Sequence, residues 1–272
     1  MTRFLSTPDD LAALVPHGAS VGLAKEPLSP IALARALIRR GARDLHLVTI
    51  PTASMVADML IGAGCVKVVE TSGVTLGEFG LAPRFVEAVK SGAVEVRDAT
   101  CPAVYAALQA GEKGQPFVPL RGVIGSDLLA NRPDWKVIDN PFAPGDPVVI
   151  LPPIRPDFAL IHALKADRYG NVWVGPRHEL KTLAHAAKQS LVTVEEIVEH
   201  DLREDDAASP NLVSSLYVAA LTEAPRGAWP TAAPGLYPLD EAEIASYARA
   251  AKTAEGFASY LSGLEAAPRA AE

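Results

Sequence analysis

Two cysteines, Cys65 and Cys101, are all that 272 residues contain, and they form no CxxC pair. That argues against a cysteine-held metal and predicts two reduced thiols. No stretch approaches the roughly 18–20 uninterrupted apolar residues that a membrane helix needs. The opening residues MTRFLSTPDDLAALV lack the continuous apolar core of a secretion signal. A cytoplasmic protein is the expectation. A basic excess is missing too: 25 Lys and Arg stand against 32 Asp and Glu, a net charge of −7. This argues against nucleic acid or an anionic membrane as the main partner, though a local basic pocket for a phosphorylated cofactor stays open. The common catalytic signatures are absent as well. There is no GxxxxGK[ST], no GxGxxG after a strand, no GxSxG and no HExxH, so nucleotide binding or hydrolysis by those devices is not expected. His178 and His185 lie seven apart on one predicted helix, with no third ligand, and predict no metal site.

What is present is alternation. Hydrophobic residues make up 49 % of the chain and charged residues 21 %, a profile that suits a well-packed α/β protein. Strand-like segments at 20–24 and 45–50 flank a helical pattern at 30–40, a βαβ unit with parallel strands and a right-handed crossover. Ser29 before Pro30 reads as an N-cap, and Gly41 as the residue that ends the helix. The pattern continues with helices at 54–63, 82–90 and 103–111, and strands at 67–71, 94–97 and 116–120. The proline-rich stretch 128–147 reads as a long ordered excursion, of a kind that is often functional. Further strands are predicted at 148–154, 158–163, 172–174 and 191–194, with a helix at 178–187. Beyond Leu202 the chain reads as surface loops, closed by one amphipathic helix over 240–262 and a ragged Ala-rich tail. One domain over residues 1–272 is expected, with its core over about 20–200. The run from Phe158 to Leu164, broken only by His162, suits a strand buried on both faces. Asp167 and Asn171 follow it at the end where open α/β sheets place ligand contacts.

Four polar clusters could carry chemistry. The turn from Gly22 to Pro30 carries Lys25 and Glu26 beside a helix N-terminus, where backbone N–H groups can meet an anion; both charges could equally be solvated. Glu70 and Glu78 sit in a glycine-spaced segment after a buried strand, and either could serve as nucleophile or base if desolvated, or be a surface acid. Cys101 lies in the stretch 98–102, a strand end feeding a helix, and a thiol near a helix N-terminus has a lowered pKa, yet an inert cysteine fits the same pattern. Arg121, Gly125 and Ser126 put a guanidinium on a small turn at a strand end, suited to phosphate or carboxylate or to an internal ion pair.

The blocks SPIALARALIRRGARDLHLVT (29–49), GLAPRFVEAVKSGAVEV (80–96), GQPFVPLRGVIGSDL (114–128), PDFALIHALKADRYGNVWVG (156–175) and LVTVEEIV (191–198), in this order, resemble the first (A or α) subunit of family I CoA-transferases, in the glutaconate CoA-transferase-like branch. The resemblance implies an α/β fold of the NagB/RpiA/CoA-transferase type, a mostly parallel sheet flanked by helices. It implies a B subunit of similar size, with the active site between the two chains. The substrates would be an acyl-CoA and a small carboxylic acid, with a CoA thioester as substrate and no permanently bound cofactor or metal. In that family a glutamate attacks the acyl-CoA and passes through a mixed anhydride to a glutamyl-CoA thioester, so that one transfer becomes two steps.

The sequence departs from the pattern in two places. The glycine-rich loop usual in A subunits is replaced by Gly22-Leu-Ala-Lys-Glu, and no SENG-like element is present, which puts the nucleophile on the B subunit. Glu26, Glu70, Glu78 and Cys101 remain the candidate catalytic groups within this chain. Gly22, Lys25, Arg121, Gly125 and Ser126 are the candidate CoA-binding groups. Two alternatives stay open. One is an acyl-CoA hydrolase resembling the ring-opening enzymes, whose A-subunit carboxylate would fall at 98–102. The other is a non-catalytic CoA-binding subunit.

Overall fold

Successive side chains on a strand point to opposite faces, so a strand that is apolar throughout needs cover on both sides. In the run 158–164 the structure provides that cover. Leu160 packs into one hydrophobic core, while Ala159 and Ile161 pack into another on the opposite face. The computed structural model describes residues 2–266; the outer part of the Ala-rich tail, 267–272, lies outside the described residues.

In chain order the first half holds β1 (Arg3–Phe4), α1 (Pro8–Ala12), β2 (Ser20–Ala24), α2 (Ile31–Arg39), β3 (Leu45–Ile50) and α3 (Met55–Gly62). It continues with β4 (Val66–Thr71), α4 (Pro83–Ser91), β5 (Glu95–Asp98) and α5 (Cys101–Glu112). A short excursion follows, made of β6 (Val118–Leu120), α6 (Leu128–Asn131), β7 (Lys136–Asp139) and β8 (Pro147–Leu151). The second half has β9 (Phe158–Asp167), β10 (Val172–Trp173), α7 (His178–Ala186), β11 (Gln189–Val198), β12 (Leu212–Val213) and β13 (Val218–Glu223), and ends in α8 (Glu241–Ala250) and α9 (Ala254–Ala266).

The main sheet runs β1-β13-β11-β9-β2-β3-β4-β5, and every neighbouring pair along this path is parallel. The expected α/β architecture with a mostly parallel sheet is therefore present. Helices α1 to α4, α8 and α9 contribute to the core on one face, with Leu33, Met59, Tyr247 and Phe257 among the contacts. Helices α5 and α7 cover the other face through Leu108, Leu180 and Leu183. Chain order reverses between β2 and β9: β3, β4 and β5 extend one way and β11 and β13 the other. The crevice outside the carboxyl ends of strands at such a reversal is where open α/β sheets bind ligands.

The stretch 128–147 is an ordered excursion outside the main sheet, and it carries α6 and β7, with β7 antiparallel to β8. Several other expectations are corrected. The segment 148–154 contributes β8 as the centre of a small three-stranded sheet, outside the main sheet. The reason is packing: Val149 and Leu151 join Val123 and Trp135 over Ala103 and Val104 of α5. The segment at 172–174 forms an antiparallel branch on β9. Strand β13 lies where the pattern predicts only loops; its VAALTE sequence is weak in β-formers, and pairing with β11 and β1 gives it its conformation. The helix expected over 240–262 is two helices separated by a turn at 251–253, and the two pack so closely that a Cβ at Gly256 would overlap the carbonyl oxygen of Ala250. Gly41, at φ +67°, ends α2 as expected, with its N–H on Ile38. Ser29 does not cap α2: Pro30 holds the cap position, and the Ser29 N–H goes to Thr231 Oγ1 at 3.3 Å.

Candidate functional site

The carboxyl ends of β2, β3, β4 and β5 meet the N-termini of α5 and α7, and the predicted groups Lys25, Glu26, Glu70 and Cys101 lie along that edge. The β2 end runs into the turn Lys25-Glu26-Pro27-Leu28-Ser29. Arg177, buried at the start of α7, holds this turn by donating to the carbonyl of Lys25 at 2.8 Å and to the carbonyl of Pro27. Its Nε donates to Glu179. Lys25 is exposed, and Glu26 is partly buried with one carboxylate oxygen that is shielded from water and has no hydrogen-bond partner. An unpaired buried carboxylate oxygen is costly, which makes it an acceptor available to a ligand. Gly22, by contrast, is required by packing. A Cβ there would come within 2.6 Å of Leu183 Cδ1 and 3.2 Å of Pro156 Cγ.

Glu70, near the end of β4, is almost fully buried. Arg132 donates to its Oε1 at 2.8 Å, and His46 Nε2 stands 3.4 Å from Oε2, longer than a good hydrogen bond. Burial pulls this carboxyl pKa up, but His46 and Arg132 together outweigh it and hold it below the usual carboxylate range. Arg132 also donates to Asp134 and to the carbonyl of Asp98 and stacks over Trp135. Glu70 is thus ionised and engaged, an anchor that ties the small sheet to β4 and β5. The cavity beside it, lined by Glu70, Arg132, Trp135 and Ile154, has room for about one water, too little for an acyl group.

Cys101 is the first residue of α5 and is exposed. Its Sγ lies 3.1 Å from Ser72 Oγ at the end of β4. Ser72 Oγ donates to the carbonyl of Pro51 at 2.7 Å. Ser72 thus bridges the end of β3 and the start of α5. One turn into α5, burial and then the charge of Glu179 push the Tyr105 phenol pKa up, with Arg177 opposing. The Ser72–Cys101 pair at the start of α5, and Arg177 with Glu179 and the β2 turn at the start of α7, make up the polar rim, and α5 and α7 pack against each other.

The remaining predicted groups lie apart from it. Glu78 is exposed on a single helical turn at Gly77–Phe79. Arg121, Gly125 and Ser126 belong to the turns after β6 on the small sheet. Arg121 is 65 % exposed and paired with Asp146, Gly125 takes a φ of +82°, and Ser126 Oγ donates to Val123 O at 2.7 Å. Asp167 closes its own turn, accepting from the backbone of Tyr169 and Asn171 and from Leu202. His178 is exposed, while His185 contacts Glu112 at 3.2 Å and stacks on Tyr217. Among the described residues no group of three or more His, Cys, Asp or Glu could hold a metal, and no helix is long and apolar enough to cross a membrane. Sequence reasoning missed Ser72, Tyr105, Arg132 and Arg177. Only the Arg-Pro-Asp run at 132–134 carried any local hint, and what it pairs with lies 62 residues away.

A parallel α/β fold whose polar rim lies at the strand ends beside a chain reversal defines the general class. Coenzyme A transferase is the family whose pattern matches residues 5–215, and the chain belongs to that family. It is 34 % identical over 269 residues to the A subunit of 3-oxoadipate CoA-transferase from Pseudomonas knackmussii, covering 96 % of this chain and 93 % of that one. Its fold is similar to the crystal structure of glutaconate coenzyme A-transferase from Acidaminococcus fermentans, with a TM-score of 0.86, 28 % identity, and 98 % of this chain and 94 % of that one covered. It is also 32 % identical over 279 residues to the cholesterol ring-cleaving hydrolase IpdA subunit of Mycobacterium tuberculosis, covering 97 % and 94 %.

Proposed function

We propose that this chain is the A subunit of a two-subunit CoA-transferase that moves CoA from an acyl-CoA to a small carboxylic acid. The glutamate that carries the glutamyl-CoA intermediate would come from the B subunit, docked over the rim. The observation that supports this most directly is the state of Glu70. This buried carboxylate beside the rim is committed to Arg132 and His46, so it is a poor nucleophile. Cys101 is engaged with Ser72, and Glu78 is solvated. Glu26 keeps an unpaired carboxylate oxygen, which suits a polar contact to the bound thioester or the acid acceptor. Lys25, exposed on the same turn, would meet a phosphate of CoA. Arg121, Gly125 and Ser126 would offer a second, outlying anion contact. Gly22 enters indirectly, by letting α7 pack close to β2 and so placing Arg177.

Purifying the chain together with the B subunit, then supplying an acyl-CoA and a free acid, should give acceptor-dependent exchange. Hydroxylamine or borohydride should trap the intermediate on the B subunit. Exchange by this chain alone, or no exchange with any of a range of acids, would defeat the reading. The hydrolase alternative has one feature in its favour: Asp98 and Cys101 occupy the strand-to-helix turn that resembles the working site of the ring-opening enzymes. Acceptor-independent turnover would favour it.

A further inference from the structure

His162 is fully buried in the middle of β9, beside the reversal point, and sits in a polar network of its own. Its Nδ1 is 2.8 Å from Thr193 Oγ1 and its Nε2 is 2.8 Å from Glu195 Oε1, both on β11. Glu195 accepts two further hydrogen bonds, from the Tyr237 hydroxyl and, at 2.6 Å, from the backbone N–H of Arg226. A carboxylate accepting from three donors is satisfied as an anion. Burial raises the Glu195 pKa, and the hydrogen bonds from His162 and Tyr237 more than reverse it. The network therefore joins the central strands to the segment 224–237, which follows β13.

That segment then reaches the rim. Gly227 lies so close to His162 that a Cβ would stand 2.7 Å from the imidazole Cε1. Its carbonyl accepts from the N–H of Ala32 in the first turn of α2, at 2.8 Å. The Ala228 N–H donates to the Tyr237 hydroxyl at 3.3 Å, and the Ala228 carbonyl accepts from Thr231 Oγ1 at 2.7 Å. Thr231 Oγ1 in turn accepts from the N–H of Ser29, and the Ala232 carbonyl accepts from the N–H of Leu28 at 2.9 Å. Leu28 is a buried leucine at φ +61°, a conformation that persists only where the surroundings impose it. The turn carrying Glu26 is thus gripped from one side by Arg177 and from the other by the 227–232 segment.

We propose that His162, Glu195 and Tyr237 are positioning residues for the Lys25–Ser29 turn, setting the place of the Glu26 carboxylate without touching substrate. The proposal rests on the CoA-transferase reading for what Glu26 meets, but not for the mechanical link itself. Tyr237→Phe removes one hydroxyl from a half-buried ring and leaves the core volume intact. In the complex with the B subunit, backbone amide exchange at Leu28 and Ser29 should speed up by about tenfold, with the exchange of β3 unchanged. The KM for acyl-CoA should rise by about five- to tenfold, because the hydroxyl's bonds to both Glu195 and the Ala228 N–H are lost and their effect reaches Glu26 only through the backbone, with kcat unchanged. Because both changes act through the same carboxylate, the KM effects of Tyr237→Phe and Glu26→Gln should be clearly less than additive. Unchanged amide exchange at Leu28 and Ser29 would overturn the link. Faster exchange with fully additive KM effects would overturn the positioning role. If the wild-type complex transfers no CoA, the functional reading fails, and the exchange data alone then decide for or against the link.

Discussion

Arg132 Nη2 and Glu70 Oε1 meet at 2.8 Å, both almost fully buried, across a gap of 62 residues. This pair joins the small antiparallel sheet to the end of β4. It also decides the chemistry of Glu70, because a carboxylate held by a guanidinium and an imidazole is stabilised as an anion and poorly disposed to attack a thioester. The same contact is a stability element.

Glu70→Gln should therefore cost about 3 kcal/mol at neutral pH, the lower end for breaking a buried pair, because Asp134 still partners Arg132. The pH dependence follows from the lowered pKa. The stabilisation is fully present above the unfolded value of 4.5 and is lost as pH falls through the lower folded value. Denaturant unfolding of wild type and variant at pH 7 and pH 3 should show the difference shrinking in acid. A difference that grew in acid would contradict the assignment.

Iodoacetamide should modify Cys101 and spare Cys65. Cys65 is buried, and burial pushes its pKa up to about 11, whereas Cys101 is exposed. If the rim binds acyl-CoA, saturating thioester should slow Cys101 labelling, as read by mass spectrometry of the digested complex. Ser72→Ala should speed it, by removing the hydroxyl that packs 3.1 Å from Sγ.

Glu26→Gln should raise the KM for acyl-CoA or for the acid by about tenfold, the effect of weakening one charge-assisted hydrogen bond by about 1.4 kcal/mol. A trappable glutamyl-CoA should still form. Loss of the trapped intermediate with unaltered binding would instead make Glu26 itself the nucleophile.

Gly111→Ala tests the packing beneath the rim. A Cβ there would overlap the carbonyl oxygen of Ile154, whose N–H is already bound to Ala107. The backbone has to move, at a cost of about 2–3 kcal/mol even though alanine favours helix. Thermal unfolding should show a clear drop; an unchanged midpoint would mean that α5 and the 152–155 segment separate freely.

Local pattern alone established much of this protein. Apolar runs such as 158–164, caps such as Gly41 and the alternation of strand and helix encode a parallel sheet covered on both faces, because each is a short-range consequence of side-chain periodicity and backbone preference. Lys25, Glu26 and Cys101 are legible as rim groups for the same reason: they follow strands directly, and strand ends point to one edge. The tertiary structure decided what those groups can do. By sequence Glu70 reads as a free carboxylate, and only the fold brings Arg132 to it from the excursion at 128–147. Gly22 reads as a ligand-facing glycine, and only the fold fills the space above it with Leu183. Strand β13 has little intrinsic strand preference and exists because β11 and β1 pair with it. The link from His162 through Tyr237 to the turn at Glu26 joins segments about two hundred residues apart, and only the folded chain brings them together.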